Sequence, residues 1–279
     1  MIRIAAGLVL ASVSAAAPAE FLLFDNGRLF VAAKVNGVAT EALLDSGAEA
    51  TLIDPVLAAK ARLATGKPQQ IHGSGGTSEA RIVEGAAIEG LGQVIQPEAV
   101  IVMDLGELSR RLIKRPTQMI LGRELFDAAR LRIDIGAGQI EVVARTTEPR
   151  GTRLDLTPHA GIEAIPALLD DTHVLAEFDL GNGSGVLISR ALASRLKLKV
   201  IGRRPGGGIG GAVARDLVQI PSLEVAGRRF SNVTAAIDDQ SNAQDLNVGT
   251  SILKHFLITT DFQQRAVWLD PVAPATASR

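Results

Sequence analysis

The sequence predicts an all-β protein built from two related halves, and two observations carry that prediction. The apolar runs are short or alternate with polar residues, and Gly, Asn and Asp bound them, as in strands joined by turns. The order of these runs in the first half of the 279-residue chain returns in the second. The clearest repeat is Leu43-Leu44-Asp45-Ser46-Gly47-Ala48, which comes back in weaker form as Glu177-Phe178-Asp179-Leu180-Gly181-Asn182. We therefore expect the two Asp-x-Gly segments to face each other across a pseudo-two-fold axis.

In the first half, short helices interrupt the predicted strands. Asn36-Gly37 between the first two strands is a strong hairpin signal. Asp54-Pro55 puts a capping side chain before a proline suited to the first turn of a helix. The predicted strands are 29–35, 38–45, 80–88, 94–103, 131–135 and 139–143, and the predicted helices are 55–62, 106–113 and 123–129.

The second half repeats this order of elements. Ser189 is expected to cap a helix over 189–196, and Ala226-Gly227 reads as a turn. Val248-Gly249-Thr250 matches Leu121-Gly122-Arg123 of the first half. The predicted strands are 174–179, 217–225, 230–237, 256–262 and 265–269.

The repeat predicts two domains, called here half one (20–145) and half two (154–270). The predicted linker is 146–153, because Glu148-Pro149-Arg150-Gly151 would break any strand. Residues 271–279 lack periodicity and are predicted to form a disordered tail.

The first 19 residues predict a cleaved secretory signal. Arg3 gives a positive start, residues 4–14 are an apolar run too short to span a bilayer, and Ala17-Pro18-Ala19 supplies small residues before Glu20. This pattern predicts a periplasmic or secreted protein with no stable membrane span after cleavage.

The composition excludes several functions. The chain has no Cys, so disulfides, Cys metal sites and thiol nucleophiles are excluded. The formal net charge of −1 gives no reason to expect a nucleic acid partner. The four His residues have no metal-like spacing, and no Gly-x-Ser-x-Gly elbow occurs. We expect neither a metal nor a cofactor.

Two short motifs in order resemble the retropepsin-like aspartic proteases: Asp45-Ser46-Gly47-Ala48 and, late in half one, Ile120-Leu121-Gly122-Arg123. The resemblance covers about 29–143 and, more loosely, 174–269. It implies a small closed β-barrel in each half, with the Asp loop beside the Gly122 or Gly249 loop and a substrate cleft between the halves. It also implies an aspartic endopeptidase that acts on peptide or protein substrates through Asp45 and Asp179.

The chemistry of such a pair explains the pattern. Two carboxylates about 3 Å apart cannot both ionise, so they share one proton, as is known for aspartic proteases. One carboxylate then activates a water as general base while the other donates a proton to the scissile carbonyl. Gly47 and Gly181 allow a sharp turn and a close approach of the backbone.

The residue after each Asp differs between the halves. The Ser46 hydroxyl can hydrogen-bond across the axis and hold the carboxylates coplanar. Leu180 cannot, and this departure from the family pattern puts a symmetric clamp in doubt. A turn-capping role is the alternative for both aspartates, and it is stronger for Asp179 because Asp-Leu-Gly-Asn-Gly is a good turn sequence.

The resemblance further implies an ion pair between Glu49 and Arg123 that ties the Asp loop to the following helix. The matching positions in half two are Gly183 and Thr250, which cannot form such a pair. The alternative is that Glu49 and Arg123 are two unrelated surface charges.

Each half has a Gly-rich segment where the family has its flap, the hairpin that closes over an extended peptide. The substrate-binding positions predicted there are Gly73, Ser74 and Gly75 in half one and Gly208, Ile209 and Gly210 in half two. Residues 206–211 also match Gly-x-Gly-x-x-Gly, but a strand-like run follows instead of the helix that a dinucleotide site needs.

Two alternatives to a single-chain protease remain open at this point. A noncatalytic peptide-binding protein could keep the cleft after the second site had eroded around Leu180. Otherwise half one alone could be catalytic and self-associate, pairing Asp45 with its symmetry mate in a homodimer. We expect a monomer, and the separation of Asp45 and Asp179 discriminates best between these readings.

Overall fold

The structure is a computed structural model that describes residues 19–273. Nearly all of the predicted signal peptide and residues 274–279 of the predicted tail lie outside the described residues. No helix within residues 19–273 is long and apolar enough to cross a membrane.

Half one contains thirteen strands and three short helices. The strands are β1 (Glu20–Phe21), β2 (Leu23–Asp25), β3 (Arg28–Val35), β4 (Val38–Leu44), β5 (Leu52–Ile53), β6 (Lys67–Gly73), β7 (Gly76–Val83), β8 (Ile88–Gly90), β9 (Gln93–Ile95), β10 (Val100–Val102), β11 (Met119–Leu121), β12 (Leu131–Asp134) and β13 (Gln139–Val142). The helices are α1 (Pro55–Lys60), α2 (Gly106–Leu108), which continues as a π-helical segment (Ser109–Ile113), and α3 (Arg123–Ala128).

The rest of the described chain adds eleven strands and two helices. The strands are β14 (Thr152–Asp155), β15 (Thr157–His159), β16 (Ile162–Leu169), β17 (Thr172–Phe178), β18 (Val186–Ser189), β19 (Val200–Gly208), β20 (Gly211–Val225), β21 (Arg228–Asp238), β22 (Leu246–Val248), β23 (Phe256–Asp261) and β24 (Ala266–Pro271). The helices are α4 (Arg190–Arg195) and α5 (Thr250–Leu253).

The predicted all-β class with short helices is confirmed, and the two halves repeat one topology. In half one, β11 pairs parallel with β4 and antiparallel with β5. In half two, β22 pairs in the same way with β17 and β18. The half-one sheet runs β6-β7-β10-β5-β11-β4-β3-β8-β9, with β2 on β3, and the half-two sheet runs β15-β16-β17-β22-β18-β21-β20-β19. An extra pairing of β16 with β20 turns the half-two sheet into a ring.

A third sheet joins the halves and has the order β1-β13-β12-β23-β24-β14. Its central pair, β12 with β23, brings one strand from each half together, with Ile133 opposite Ile258. β14 starts inside the predicted linker, and β24 runs to Pro271, the first residue of the predicted tail. Residues 148–151 carry no strand.

The predicted helix caps are confirmed. The Asp54 side chain accepts a hydrogen bond from the Val56 N–H at the start of α1. The Ser189 side chain accepts one from the Leu192 N–H at the start of α4. The two helices are equivalent, because α1 follows β5 and α4 follows β18, the first strand after the Asp-x-Gly loop in each half.

Two predicted strands are wrong in extent. The predicted strand 80–88 is divided between β7 and β8, because Gly85 adopts a positive φ of 77° between them. The predicted strand 94–103 is divided between β9 and β10 around Pro97, which has no N–H to donate to a ladder.

Most of the buried apolar side chains form one core that extends through both halves and the shared sheet. A second, smaller cluster lies under the cleft in half one and includes Leu43, Leu52 and Ile120. Leu180 is fully buried in the larger core.

Candidate active site

The two Asp-x-Gly loops have the same backbone arrangement. The Asp45 N–H donates to the Leu121 carbonyl at 3.0 Å, and the Asp179 N–H donates to the Val248 carbonyl at 3.1 Å. Each aspartate therefore follows β4 or β17 directly and is tied to the neighbouring parallel strand.

The loop that contains Gly122 or Gly249 lies beside each Asp loop, as the resemblance implies. The Arg123 N–H donates to the Ala48 carbonyl at 2.9 Å, and the Thr250 N–H donates to the Asn182 carbonyl at 3.0 Å. A Cβ on Gly122 would stand 2.9 Å from the Ala48 carbonyl oxygen, and one on Gly249 would overlap Asn182. Both glycines thus allow a close backbone approach that a side chain would prevent.

The folded chain brings the Asp45 and Asp179 carboxyl groups together across the pseudo-two-fold axis. They are close enough to hydrogen-bond each other. Each carboxyl lies against the glycine of the opposite loop: a Cβ on Gly47 would stand 2.9 Å from Asp179 Cγ, and one on Gly181 would overlap the Asp45 carboxyl. Glycine is therefore required at both positions by the opposite aspartate.

The two carboxyl groups receive unequal support from hydrogen-bond donors. Asp45 Oδ1 accepts from the Gly47 N–H at 2.8 Å. Asp179 Oδ1 accepts from the Asn182 N–H at 2.9 Å, and its Oδ2 accepts from Asn247 Nδ2 at 2.8 Å. Hydrogen bonds to a carboxylate favour its charged form.

The pKa shifts follow this difference. Burial, followed by the charge of Asp179, raises the pKa of Asp45 to about 8. Burial also raises the pKa of Asp179, but donors on Asn247, Asn182 and Gly181 oppose that shift. The donors around Asp179 therefore favour its charged form, and Asp45, with fewer donors, is the better site for a proton that the pair shares.

The cross-axis hydrogen bonds come from one side only. The Ser46 hydroxyl accepts from the Leu180 N–H at 2.9 Å and donates to the Phe178 carbonyl at 2.8 Å. Leu180 points into the apolar core instead of across the axis. Within residues 19–273, Ser46 is the one residue of the two Asp-x-Gly loops whose side chain hydrogen-bonds the backbone of the opposite loop.

The predicted ion pair between Glu49 and Arg123 is wrong. The Arg123 guanidinium turns to half two, where it donates to Glu163 Oε1 at 3.3 Å and to the Gly161 carbonyl at 3.2 Å; it also pairs with Asp127 at 3.0 Å. Glu49 is exposed, and its carboxylate lies over the Cα of Gly161. Arg123 thus has two carboxylate partners other than Glu49: Asp127 on its own helix, and Glu163, whose side chain is only 2% exposed and which also binds Arg265.

The carboxylate that connects the Asp45 loop to the following helix is that of Glu124, not that of Glu49. Glu124 accepts from the Thr51 N–H at 2.8 Å and from the Thr51 hydroxyl at 2.9 Å. The same hydroxyl accepts from the Gly122 N–H at 3.1 Å. Glu124 and Thr51 together tie the Asp45 loop to α3.

Arg123 and Thr250 nevertheless make equivalent contacts across the interface between the halves. Arg123 binds the carbonyl of Gly161, and the Thr250 hydroxyl donates to the carbonyl of Gly27. Gly27 and Gly161 occupy the turns before β3 and β16. The first residue of each helix thus binds the first hairpin of the other half.

Sequence reasoning missed three polar residues near the aspartates. Arg28, which is 4% exposed, donates to Ser184 Oγ at 3.3 Å across the interface. Burial lowers the pKa of Arg28, while the charges of Asp45 and Asp179 raise it. Glu177 and Asn247 are partners on adjacent parallel strands, and Asn247 Nδ2 donates to Glu177 Oε2 at 3.0 Å. Alignment of the two sequence repeats could have found Glu177 and Asn247, because they occupy the positions that Leu43 and Ile120 occupy in half one.

The Gly-rich segments form the tips of two hairpins, β6–β7 and β19–β20, called here flap one and flap two. The tips meet, since the Gly75 N–H donates to the Ile209 carbonyl at 2.9 Å. Each flap is also held by the other half: Arg111 donates to the Gly208 carbonyl at 2.8 Å, and Arg215 donates to the Ser74 carbonyl at 3.0 Å. Both flaps are therefore closed over the cleft.

A cavity of about 780 Å³ lies between the aspartates and the flaps. Of the predicted flap residues, Gly73, Ser74, Gly208 and Ile209 line it, whereas Gly75 and Gly210 do not. Its size and its position between the halves suit an extended segment of peptide. Among the described residues, no group of three or more His, Cys, Asp or Glu could hold a metal ion.

Comparison with known families agrees with this geometry. A family model described as aspartyl protease matches residues 31–125 and again residues 165–252, one stretch in each half. Comparison with curated proteins gives no match.

Proposed function

This chain belongs to the aspartyl protease family, and on that premise we propose that it is a single-chain endopeptidase with Asp45 and Asp179 as its catalytic pair. One observation carries the proposal: each carboxyl lies against the glycine of the opposite Asp-x-Gly loop and within hydrogen-bond reach of the other carboxyl. Such contact favours an intramolecular pair over a homodimer of half one.

In the proposed reaction the two carboxyl groups have different starting roles. Ionised Asp179 takes a proton from a water bound between the pair, and the oxygen of that water attacks the scissile carbonyl carbon. Protonated Asp45 donates its proton to the carbonyl oxygen, which gives a neutral tetrahedral intermediate. The proton held by Asp179 then passes to the leaving nitrogen as the C–N bond breaks, and Asp45 recovers its proton from the intermediate.

The unequal donors support this division of roles. Asn247 and two backbone N–H groups stabilise the anion of Asp179, whereas among the described residues only the Gly47 N–H donates to the Asp45 carboxyl group. A pair poised in this way needs no rearrangement before water is activated. The closed flaps would shield the reaction from bulk solvent.

We also propose that the protein is exported. The N-terminal pattern supports this, and β1 begins at Glu20, directly after the predicted cleavage point. Because β1 pairs with β13, cleavage further into the chain would remove a strand of the shared sheet. N-terminal sequencing of protein purified from its native compartment tests the proposal, and a retained Met1 would contradict it.

The test of the catalytic pair is cleavage of a peptide library between pH 3 and 9 by the wild type, Asp45→Asn and Asp179→Asn. We expect each variant to fold and to lose on the order of a thousandfold or more in kcat/KM, because an amide can act neither as general base nor as acid. A folded variant with wild-type turnover would overturn the pair. Peptide binding by a wild type that cleaves nothing would favour the noncatalytic alternative.

A further inference from the structure

The two walls of the cleft differ in chemistry although they share one topology. Apolar side chains predominate in the half-one wall nearest the aspartates, and they include Leu43, Leu52, Ile101, Leu108 and Ile120. Arg28, Glu49, Gln69, Gln70 and His72 also line the cavity from half one. Polar side chains outnumber the apolar ones in the half-two wall, and they include Glu177, Asp238, Gln240, Asn242 and Asn247, beside Ile162, Leu187, Ile188 and Ile209. The register pairs make this contrast direct, since Leu43 lies opposite Ile120 and Glu177 lies opposite Asn247.

Glu177 faces the cleft because it precedes Asp179 by two positions on β17 and so shares its face of the strand. Its Oε2 accepts from Asn247 Nδ2. Within residues 19–273, no side chain forms a hydrogen bond or an ion pair with its Oε1. One oxygen of a half-buried carboxyl group is therefore open to whatever enters the cavity.

The surroundings of this carboxyl group are mainly acidic. The charges that act on Glu177 are those of Asp179 and Asp238, which are negative, and of His159, which opposes them. Asp238 is compensated by Arg215 at 3.0 Å, but Glu177 has no such partner among the described residues. Arg28 and Arg204 also line the cavity, yet neither lies within ion-pair distance of Glu177.

We propose that Glu177 selects a Lys or Arg side chain of the substrate, while the matching half-one subsite around Leu43 and Ile120 takes an apolar side chain. The scissile bond would then join an apolar and a basic residue. This inference rests on the proposed function, since it places both subsites beside the Asp45–Asp179 pair.

The physical reason is charge compensation in a partly buried site. An ammonium or guanidinium group at Glu177 Oε1 would form a charge-assisted hydrogen bond, among the strongest available between side chains. Burial raises the pKa of Glu177 to about 7, so an incoming cation would also hold the carboxyl ionised near neutral pH. An acidic substrate side chain would meet like charge and be rejected.

The experiment uses one peptide series in which Leu is fixed on one side of the scissile bond and the other side carries Lys, norleucine or Glu, in both orders. For the wild type at pH 7.5 we expect kcat/KM for Lys to exceed that for norleucine by about tenfold or more, in one of the two orders. Glu177→Gln keeps an acceptor for Asn247 but loses the charge. It should erase the preference for Lys and leave cleavage of the norleucine peptide within about twofold.

Glu79→Gln is the matched control, because Glu79 is an exposed carboxylate on β7 outside the cavity and its loss changes net charge equally. It should keep the wild-type preference. A wild type that cleaves both peptides equally, or a Glu177→Gln variant that loses both activities in proportion, would overturn the inference in favour of a structural role beside Asn247.

Peptide binding to Asp45→Asn, measured by fluorescence anisotropy, separates this inference from the proposed function. Tighter binding of the Lys peptide that disappears in Asp45→Asn/Glu177→Gln would support the subsite even if the wild type cleaved nothing. Equal binding of the Lys and norleucine peptides to Asp45→Asn would overturn it.

Discussion

The two halves hold their aspartates on the same backbone and surround them with different side chains. The N–H groups of Asp45 and Asp179 donate to equivalent strand carbonyls at 3.0 and 3.1 Å. The residue that follows the aspartate is polar in half one (Ser46) and apolar in half two (Leu180). At two strand positions the polarity is the other way round: half one has the apolar Leu43 and Ile120, and half two has the polar Glu177 and Asn247.

This comparison separates what the fold needs from what it leaves free. The approach of the two loops requires an aspartate and a glycine from each half, because each glycine contacts the opposite carboxyl. The neighbouring positions are free to differ, and in the proposed mechanism their difference makes one carboxyl group the acid and the other the base. Four changes test the comparison, and they are ordered from the largest expected change in the free energy of unfolding to the smallest.

Ser46→Ala should be more damaging than Leu180→Thr, the change that gives half two the hydroxyl it lacks. The alanine leaves the Leu180 N–H and the Phe178 carbonyl without a partner, at a cost of about 3 kcal/mol for two buried groups. We expect kcat/KM to fall by at least about tenfold as the carboxyl groups lose their alignment. Urea denaturation and turnover of one peptide measure both effects.

Leu180→Thr is the matched control for Ser46→Ala. It removes core volume and adds a hydroxyl, so a loss of about 1 kcal/mol is expected with activity retained. Equal damage from both variants would mean that the cross-axis hydrogen bonds are not one-sided.

Asn247→Ile gives half two the residue that half one has at position 120. It removes the donor to Asp179 and to Glu177 and should cost about 2 kcal/mol. Loss of a donor to the charged form raises the pKa of Asp179, so the acidic limb of the kcat/KM profile should move to higher pH. Ile120→Val should leave that limb in place, and an unshifted limb in Asn247→Ile would refute the division of roles.

Arg123→Ala tests the equivalence of Arg123 and Thr250 at the interface between the halves. The expected loss is about 1–2 kcal/mol, because Glu163 keeps Arg265 as a partner. In double-mutant cycles Arg123 should couple to Glu163 and not to Glu49. Coupling to Glu49 would restore the ion pair that the structure contradicts.

Asp45→Asn should stabilise the protein at neutral pH while it abolishes activity. The folded pKa of Asp45, about 8, lies above its ordinary value, so between about pH 4 and 8 the folded state holds a proton that the unfolded chain has lost. The free energy of unfolding of the wild type therefore falls as pH rises through that range. Asp45→Asn does not show this fall, because its amide does not titrate. We expect a gain on the order of 1 kcal/mol at pH 7, reduced by solvent in the cleft, and none at pH 4.

Asp179→Asn should gain less stability than Asp45→Asn, because it removes a carboxylate that three hydrogen-bond donors already stabilise. Thermal melts of the wild type and both variants at pH 4, 5.5, 7 and 8 measure the difference. A pH-independent gap between Asp45→Asn and the wild type would contradict the raised pKa.

Local signals predicted the repeat and the helix caps, because Asp-x-Gly, Asp54-Pro55 and Ser189 act through neighbouring backbone. The strands of the flaps, β6 and β19, were missed since their polar, Pro- and Gly-rich sequences lack alternation and they form only by pairing. The partner of Arg123 could not be predicted either, because it comes from the other half of the chain.

The shared sheet has a consequence for folding kinetics. Its central register joins Ile133 to Ile258, about 125 residues apart along the chain, and such distant pairings close slowly. β23 and β24 are synthesised after every other strand of residues 19–273, and neither half can bury its edge of that sheet without them. The nascent polypeptide thus completes its central sheet only after residue 271 has been added, so the two halves cannot be locked together while either one is still being synthesised.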